Sequence, residues 1–254
     1  MSAFGSLLPR VVVVGAGFAG YQAARGLLSR LDGRAEVVVV NSTDYFLYLP
    51  LMPQVAGGLL EPRHICTSLP RKLRRARFVL GTVDGIDPHR RSVHWRSPEG
   101  GEGQCDYDRL VLTAGSVNKL LPIPGLSQHA HGFRTLAEAI FLRDHITRQL
   151  ELAAVATDPA ERSARCTFVV VGAGYTGTEV AAQGQLLTAR IAKRYPGLGD
   201  QPIRWLLLDT AERLLPTLDR RLSDTADRVL RRRGVEVRMG QSVKEARQDS
   251  VLLS

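Results

Sequence analysis

Val11-Val12-Val13-Val14-Gly15-Ala16-Gly17-Phe18-Ala19-Gly20 joins a run of valines to a glycine-rich turn near the start of the chain. An unbroken β-branched run is how a strand buried on both faces of a parallel sheet looks in sequence. The glycines after it stand at the spacing G-x-G-x-x-G. The first allows a tight strand-to-helix turn, the second lets the backbone approach a pyrophosphate, and the third lets helix and strand pack closely. Residues 21–30 then read as a helix, Asp32-Gly33 as a turn, and Glu36-Val37-Val38-Val39-Val40-Asn41 as a second buried strand. Together they make a βαβ unit of about 30 residues.

The pattern returns further along the chain. Phe168-Val169-Val170-Val171 reads as a strand, Gly172-Ala173-Gly174-Tyr175-Thr176-Gly177 as its turn, and residues 178–194 as the helix. Residues 203–209 and 235–239 follow as strands, with a helix over 223–233 between them. A lone glycine match is weak, but two matches, each following a buried strand, imply two dinucleotide sites with helix N-termini facing phosphates. An acid at the end of the next strand completes such a site by accepting ribose hydroxyls. Asp209 fills that place in the second unit, and its charge favours NADH over a 2′-phosphorylated cofactor. Asn41 fills it in the first, where an uncharged amide makes a contact weaker by roughly 1 kcal/mol.

Between the two units the spacing predicts a helix over 69–75 and strands over 77–83, 92–96 and 108–113. Pro122-Ile123-Pro124-Gly125 is a rigid turn and a boundary. A long helix over 135–156 starts at a capping box, Thr135 with Glu138, and Asp158-Pro159 ends it.

Composition narrows the classes. With 254 residues and 44% hydrophobic content the chain is globular. Its net charge of +9 includes two basic runs, Arg71-Lys72-Leu73-Arg74-Arg75-Ala76-Arg77 and Arg231-Arg232-Arg233. These read first as solvated helix ends, with a lipid-headgroup or polyanion surface as the alternative. No zinc-finger, helix-turn-helix or base-stacking pattern accompanies them, so nucleic acid is not expected. Cys66, Cys105 and Cys166 show neither C-x-x-C nor metal spacing, and neither a redox disulfide nor a metal is expected. No signal peptide is evident, and no run reaches the ~18–20 apolar residues of a membrane span. The expected location is the cytoplasm or the cytoplasmic face of a membrane.

Finer motifs carry a family resemblance. Asp106-Tyr107-Asp108-Arg109-Leu110-Val111-Leu112-Thr113-Ala114-Gly115 resembles the second FAD motif of the two-dinucleotide-domain flavoprotein reductases. Asp44-Tyr45-Phe46-Leu47-Tyr48-Leu49-Pro50-Leu51-Met52-Pro53-Gln54-Val55 is similar to the segment that type II NADH dehydrogenases lay beside the flavin. Gly132-Phe133-Arg134-Thr135-Leu136 matches their interdomain helix, and no catalytic C-x-x-x-x-C is present.

The resemblance implies an α/β fold of two Rossmann-like dinucleotide-binding domains, the second inserted in the first and truncated. Residues 1–125 would be the FAD domain without its closing segment, 126–165 the interdomain helix and linker, and 166–254 an incomplete NAD domain. It implies that Gly15, Gly17, Phe18, Ala19 and Gly20 hold the FAD pyrophosphate, with Asn41 at the ribose and Val83 at the adenine. Pro50, Thr113, Ala114 and Gly115 would lie near the flavin. Gly172, Gly174, Tyr175, Thr176, Gly177 and Asp209 would hold NADH, and Glu179 matches a carboxylate near the nicotinamide–flavin junction.

The implied reaction takes a hydride from NADH to FAD and passes electrons to a quinone or another small acceptor. Peripheral membrane contact and a homodimer belong to the same expectation. The sequence ends on a hairpin that reads as cut short, before the family's C-terminal segments, so a partial chain is expected. Two further readings stand beside this one: a catalytically silent dinucleotide-binding fragment or redox sensor, and a basic polyanion-binding module.

Overall fold

The structure, a computed structural model, describes residues 8–117, 121–198 and 200–254. Two compact units share the chain. The first runs to Tyr48 and resumes over Arg63–Val117; the second takes Leu49–Pro62 and the remainder. These cuts differ from the boundaries at 125 and 165 read from the sequence.

The chain begins with β1 (Arg10–Val14), α1 (Phe18–Leu31), β2 (Glu36–Asn41) and β3 (Tyr45–Leu47). Helix α2 (Met52–Ala56) belongs to the second unit. The first unit resumes with β4 (Cys66–Ser68), α3 (Leu69–Lys72), β5 (Arg77–Leu80), β6 (Thr82–Asp87), β7 (Ser92–Arg96), β8 (Glu102–Asp106) and β9 (Arg109–Leu112).

Its central sheet is parallel, in the order β5-β2-β1-β9. Alternate residues of a strand point to opposite faces, so the valine runs serve two cores at once. Val13, Val37 and Val39 pack with Ala24 of α1 and with Leu69 and Leu73. Val12, Val14, Val38 and Val40 pack with Val93, Cys105 and Trp95 of the antiparallel sheet β6-β7-β8. The strand expected over 77–83 breaks at Gly81. Arg77–Leu80 pairs with β2, whereas Val83 lies in the second sheet opposite Trp95, beside a bulge. A buried Gly81 whose added Cβ would lie 2.7 Å from the Trp95 ring marks the crossing.

In the second unit α2 is followed by α4 (Leu126–His129), α5 (Leu136–Val155), α6 (Pro159–Arg165), β10 (Thr167–Val171) and α7 (Tyr175–Ala192). Then come β11 (Arg204–Asp209), α8 (Arg220–Arg232), β12 (Val235–Met239), β13 (Val243–Ala246) and β14 (Val251–Leu253). The parallel sheet β10-β11-β12 packs one face on α5 and α7, through Ile146, Leu150, Ala181, Leu187, Trp205 and Leu207. The hairpin β13–β14 covers the other face, Val243 meeting Leu206 and Leu208. Trp205 stacks on Phe168 with ring centroids 4.8 Å apart, and its indole N–H donates to Thr188 Oγ1.

Helix α5 starts where its capping box predicts. The Glu138 N–H donates to Thr135 Oγ1, and the Glu138 carboxylate accepts from the Thr135 and Arg134 N–H groups. Asp158-Pro159 ends α5 but also starts α6: the Asp158 carboxylate accepts from Ala160 N and Glu161 N, with proline in the first helical turn. Helix α2 packs on α5 and α7, and Arg190 donates to the Gly57 carbonyl, which fastens the 49–62 segment within this unit.

Candidate functional site

The two glycine turns are built alike at their strand ends. In the first, Gly15 N–H donates to Val40 O at 2.8 Å, and Ala16 N–H donates to Asn41 Oδ1 at 2.8 Å. In the second, Gly172 N–H donates to Leu208 O at 2.8 Å, and Ala173 N–H donates to Asp209 Oδ2 at 2.6 Å. Asn41 and Asp209 therefore each tie the turn to the neighbouring strand before any ligand is considered.

Their remaining capacity differs. The Asn41 amide NH2 donates to Thr43, to its carbonyl at 2.8 Å and to its hydroxyl at 3.1 Å. One lone pair of Oδ1 is left to accept a hydroxyl. Asp209 gives one oxygen to Ala173 N and the other to Ala211 N, at 2.8 Å. It keeps a lone pair on each oxygen and its full charge. Thr43 was not singled out from sequence; an Asn followed two residues later by Thr is the side-chain turn pattern that could have found it.

The glycines divide by what their neighbours demand. A Cβ on Gly20 would stand 1.9 Å from Gly15 O, and one on Gly177 would stand 1.8 Å from Gly172 O. Both are required by the turn itself. Gly17 and Gly174 have nothing within 4 Å of an added Cβ. They are the exposed N-caps of α1 and α7, with no side-chain cap and no acid in the first helical turn. Open space at an uncapped, acid-free helix start is what an entering pyrophosphate needs, and the residues present fit one at both turns.

Around these starts apolar surface lies open. Phe18, Ala19, Tyr175 and Thr176 are exposed, and Leu112 at the end of β9 is 59% exposed. Phe18 packs edge-on to Phe46, ring centroids 5.1 Å apart. Exposed apolar residues at the carboxyl ends of parallel strands mark the crevice where such folds bind ligands.

Thr113 proves to be a clamp. Its hydroxyl lies 2.8 Å from Val14 O and 2.9 Å from Gly15 O and shares its single proton between them. Ala114 and Gly115 continue exposed, Gly115 with φ of +73°. Pro50, in the 3-10 turn Leu49–Leu51, belongs to the second unit and Val83 to the first. Glu179, in the second turn of α7, is exposed, and among the described residues it has no hydrogen-bond or ion-pair partner. Loss of water around it still raises its carboxyl above the ordinary carboxylate range.

Two clefts, of about 730 and 400 Å³, are lined by other residues. Among the described residues no group of three or more His, Cys, Asp or Glu is placed to hold a metal ion. Cys66, Cys105 and Cys166 are free thiols whose pKa burial raises. No described helix is long and apolar enough to cross a membrane.

Known proteins resemble this chain in sequence and in fold. The chain is 36% identical over 238 residues to a type II NADH:quinone oxidoreductase, NdhA, of Mycobacterium tuberculosis, covering 92% of this chain and 50% of the relative. It is 30% identical over 253 residues to the external alternative NAD(P)H-ubiquinone oxidoreductase B4 of Arabidopsis thaliana mitochondria, covering 95% and 43%. It thus spans about half the length of these curated relatives. The structure of NDH2 from Plasmodium falciparum in complex with NADH has the same fold, with a TM-score of 0.89 at 19% identity, over 96% of this chain and 50% of that one. The pyridine nucleotide-disulphide oxidoreductase pattern matches residues 9–254, both glycine turns included. With two turns of matching construction inside that span, the chain belongs to the pyridine nucleotide-disulphide oxidoreductase family.

Proposed function

We propose that this chain forms the two nucleotide sites of a flavin-dependent oxidoreductase that oxidises NADH and reduces a quinone. The observation that carries the reading is the paired turn: Gly17 and Gly174, each open to solvent at an uncapped helix start, each beside a strand-end side chain that already holds the turn. The first turn is assigned to FAD and the second to NADH.

Each residue then has a task. The N-terminal N–H groups of α1 and α7 bind the pyrophosphates. The free lone pair of Asn41 accepts a ribose hydroxyl of FAD. The Asp209 carboxylate accepts one of NADH and disfavours a 2′-phosphate. Thr113 fixes the carbonyl ends of β1, so that the exposed Ala114-Gly115 backbone stands ready for the flavin nucleotide. Glu179 is the carboxyl assigned to the nicotinamide end, in the second turn of α7 and, among the described residues, without a protein partner. A flavin held there would supply the redox chemistry between NADH and the acceptor.

Quinone is assigned because the mycobacterial and plant relatives are named for quinone or ubiquinone. A peripheral position at the cytoplasmic face of a membrane suits such an acceptor. The test is spectroscopic. The purified protein, incubated with FAD and desalted, is expected to keep a flavin spectrum that NADH bleaches without oxygen and a soluble quinone restores. Failure to retain flavin, or retention without bleaching, overturns the reading.

A further inference from the structure

The basic run at residues 71–75 does more than decorate a helix end. It faces α1 across a surface cleft of about 400 Å³ whose lining includes Arg25, Arg71, Lys72, Arg74 and Arg75; none of the lining residues is acidic or aromatic. Cations at this end of α1 are favoured by the helix dipole, but the carbonyls there are already served. Arg75 donates to Leu28 O at 2.7 Å and to Asp32 at 3.0 Å, while Arg34 donates to Arg30 O and Leu31 O. Arg74 spends only its Nε, on Arg71 O. Arg25 lies over the Tyr21 ring at 5.6 Å. Among the described residues the Arg71 and Lys72 side chains have no hydrogen-bond or ion-pair partner. Like charges brought together beyond what capping uses are balanced most fully by a multiply charged anion, and guanidinium forks match phosphate oxygens.

We propose that this cleft is a binding site for a phosphate-bearing anion, distinct from both glycine turns. Arg25 stands roughly 12 Å along the α1 axis from Gly17, at about 1.5 Å per residue. With no aromatic side chain in the lining there is nothing for nucleic-acid bases to stack on. The ligand is a phosphoryl group, either free in solution or as the headgroup of an anionic lipid.

The experiment titrates the purified protein with sodium pyrophosphate by calorimetry, with FAD and oxidised NAD present in excess so that both glycine turns are filled. In parallel it floats the protein with vesicles of phosphatidylcholine containing 30% phosphatidylglycerol (roughly the surface charge of an anionic membrane), or of phosphatidylcholine alone. Each arm compares the wild type with R71E/K72E and with R232E/R233E, which makes the same charge change at the C-terminal end of α8. Saturable pyrophosphate binding that weakens at least tenfold in R71E/K72E and less than twofold in R232E/R233E supports the site. Flotation with the anionic vesicles showing the same pattern identifies the headgroup as the source; pyrophosphate binding alone identifies free phosphate. Equal losses in both variants, or no loss in R71E/K72E in either arm, overturn the proposal. Should the charge reversal unfold the protein, R71Q/K72Q makes the same comparison.

Discussion

Val14 at the end of β1 is 6% exposed, and Val171 at the matching place on β10 is 49% exposed. The two strands carry the same sequence signature and lead into the same glycine turn. The difference lies in their flanks. β1 is paired on both sides, by β2 and β9, whereas β10 is paired with β11 alone among the described residues. Through β9 the first turn gains a third support, because an added Cβ on Gly15 would lie 2.4 Å from Thr113 O, while one on Gly172 meets nothing within 4 Å. The same fingerprint is thus braced from the strands on both sides in one unit and, among the described residues, from one side in the other.

Where the two turns are alike, G20A and G177A should each destabilise their own unit by about 3 kcal/mol, since in both the intruding methyl meets backbone carbonyl oxygen. A clear inequality in urea unfolding midpoints would remove the claim that the third glycine has one duty in both. Where the turns differ, G15A and G172A share the strain of positive φ, +85° and +107°, about 1–3 kcal/mol. G15A adds the collision with Thr113 and should cost roughly 1–2 kcal/mol more. Equal losses would mean that β9 does not brace the first turn.

The open glycines should behave in the opposite sense. G17A and G174A are expected to leave stability within about 0.5 kcal/mol while weakening FAD and NADH binding respectively by about tenfold or more. A stability loss as large as the binding loss would mark these positions as structural. For the clamps, D209N removes the charge and also leaves one of the two backbone N–H groups, Ala173 or Ala211, facing an amide NH2. It should weaken NADH by at least about fivefold, roughly 1 kcal/mol or more. Isothermal titration reads it directly.

The smallest effect is confined to the second unit. T135A removes the α5 cap for about 1 kcal/mol, and acid should act at the same place. Burial alone would raise the Glu138 pKa, but the Thr135 and Arg134 N–H groups outweigh it and hold the carboxylate below its ordinary value. A depressed folded-state pKa contributes stability that is present above the unfolded value, near 4.3, and lost as pH falls through the folded one. Unfolding of the second unit measured between pH 6 and pH 3 (roughly spanning that range) should show this loss in the wild type and less of it in E138Q.

Much of this was legible in the sequence because the decisive signals are local. The valine runs, the glycine spacings and the Thr135–Glu138 box are each complete within about a dozen residues and fold as written. What escaped depends on distant partners or on a signal with two meanings. Asp158-Pro159 reads equally as a stop and as a start, and the structure uses it as both. The break at Gly81 is imposed by Trp95 from another strand. The place of residues 49–62 rests on helices α5 and α7 and on Arg190, 133 positions from Gly57. Asn41 was visible as the residue at the ribose position, but the Thr43 bonds that occupy its amide were not.

The chain holds two tryptophans, and the fold gives one to each unit: Trp95 against the β-face of the first core, Trp205 within the second. Each core therefore has its own intrinsic fluorophore. A Trp95→Phe protein reports optically on the second unit alone, and a Trp205→Phe protein on the first. The pair turns the comparison of the two turns into two separately observed unfolding curves from a single polypeptide, with no external label.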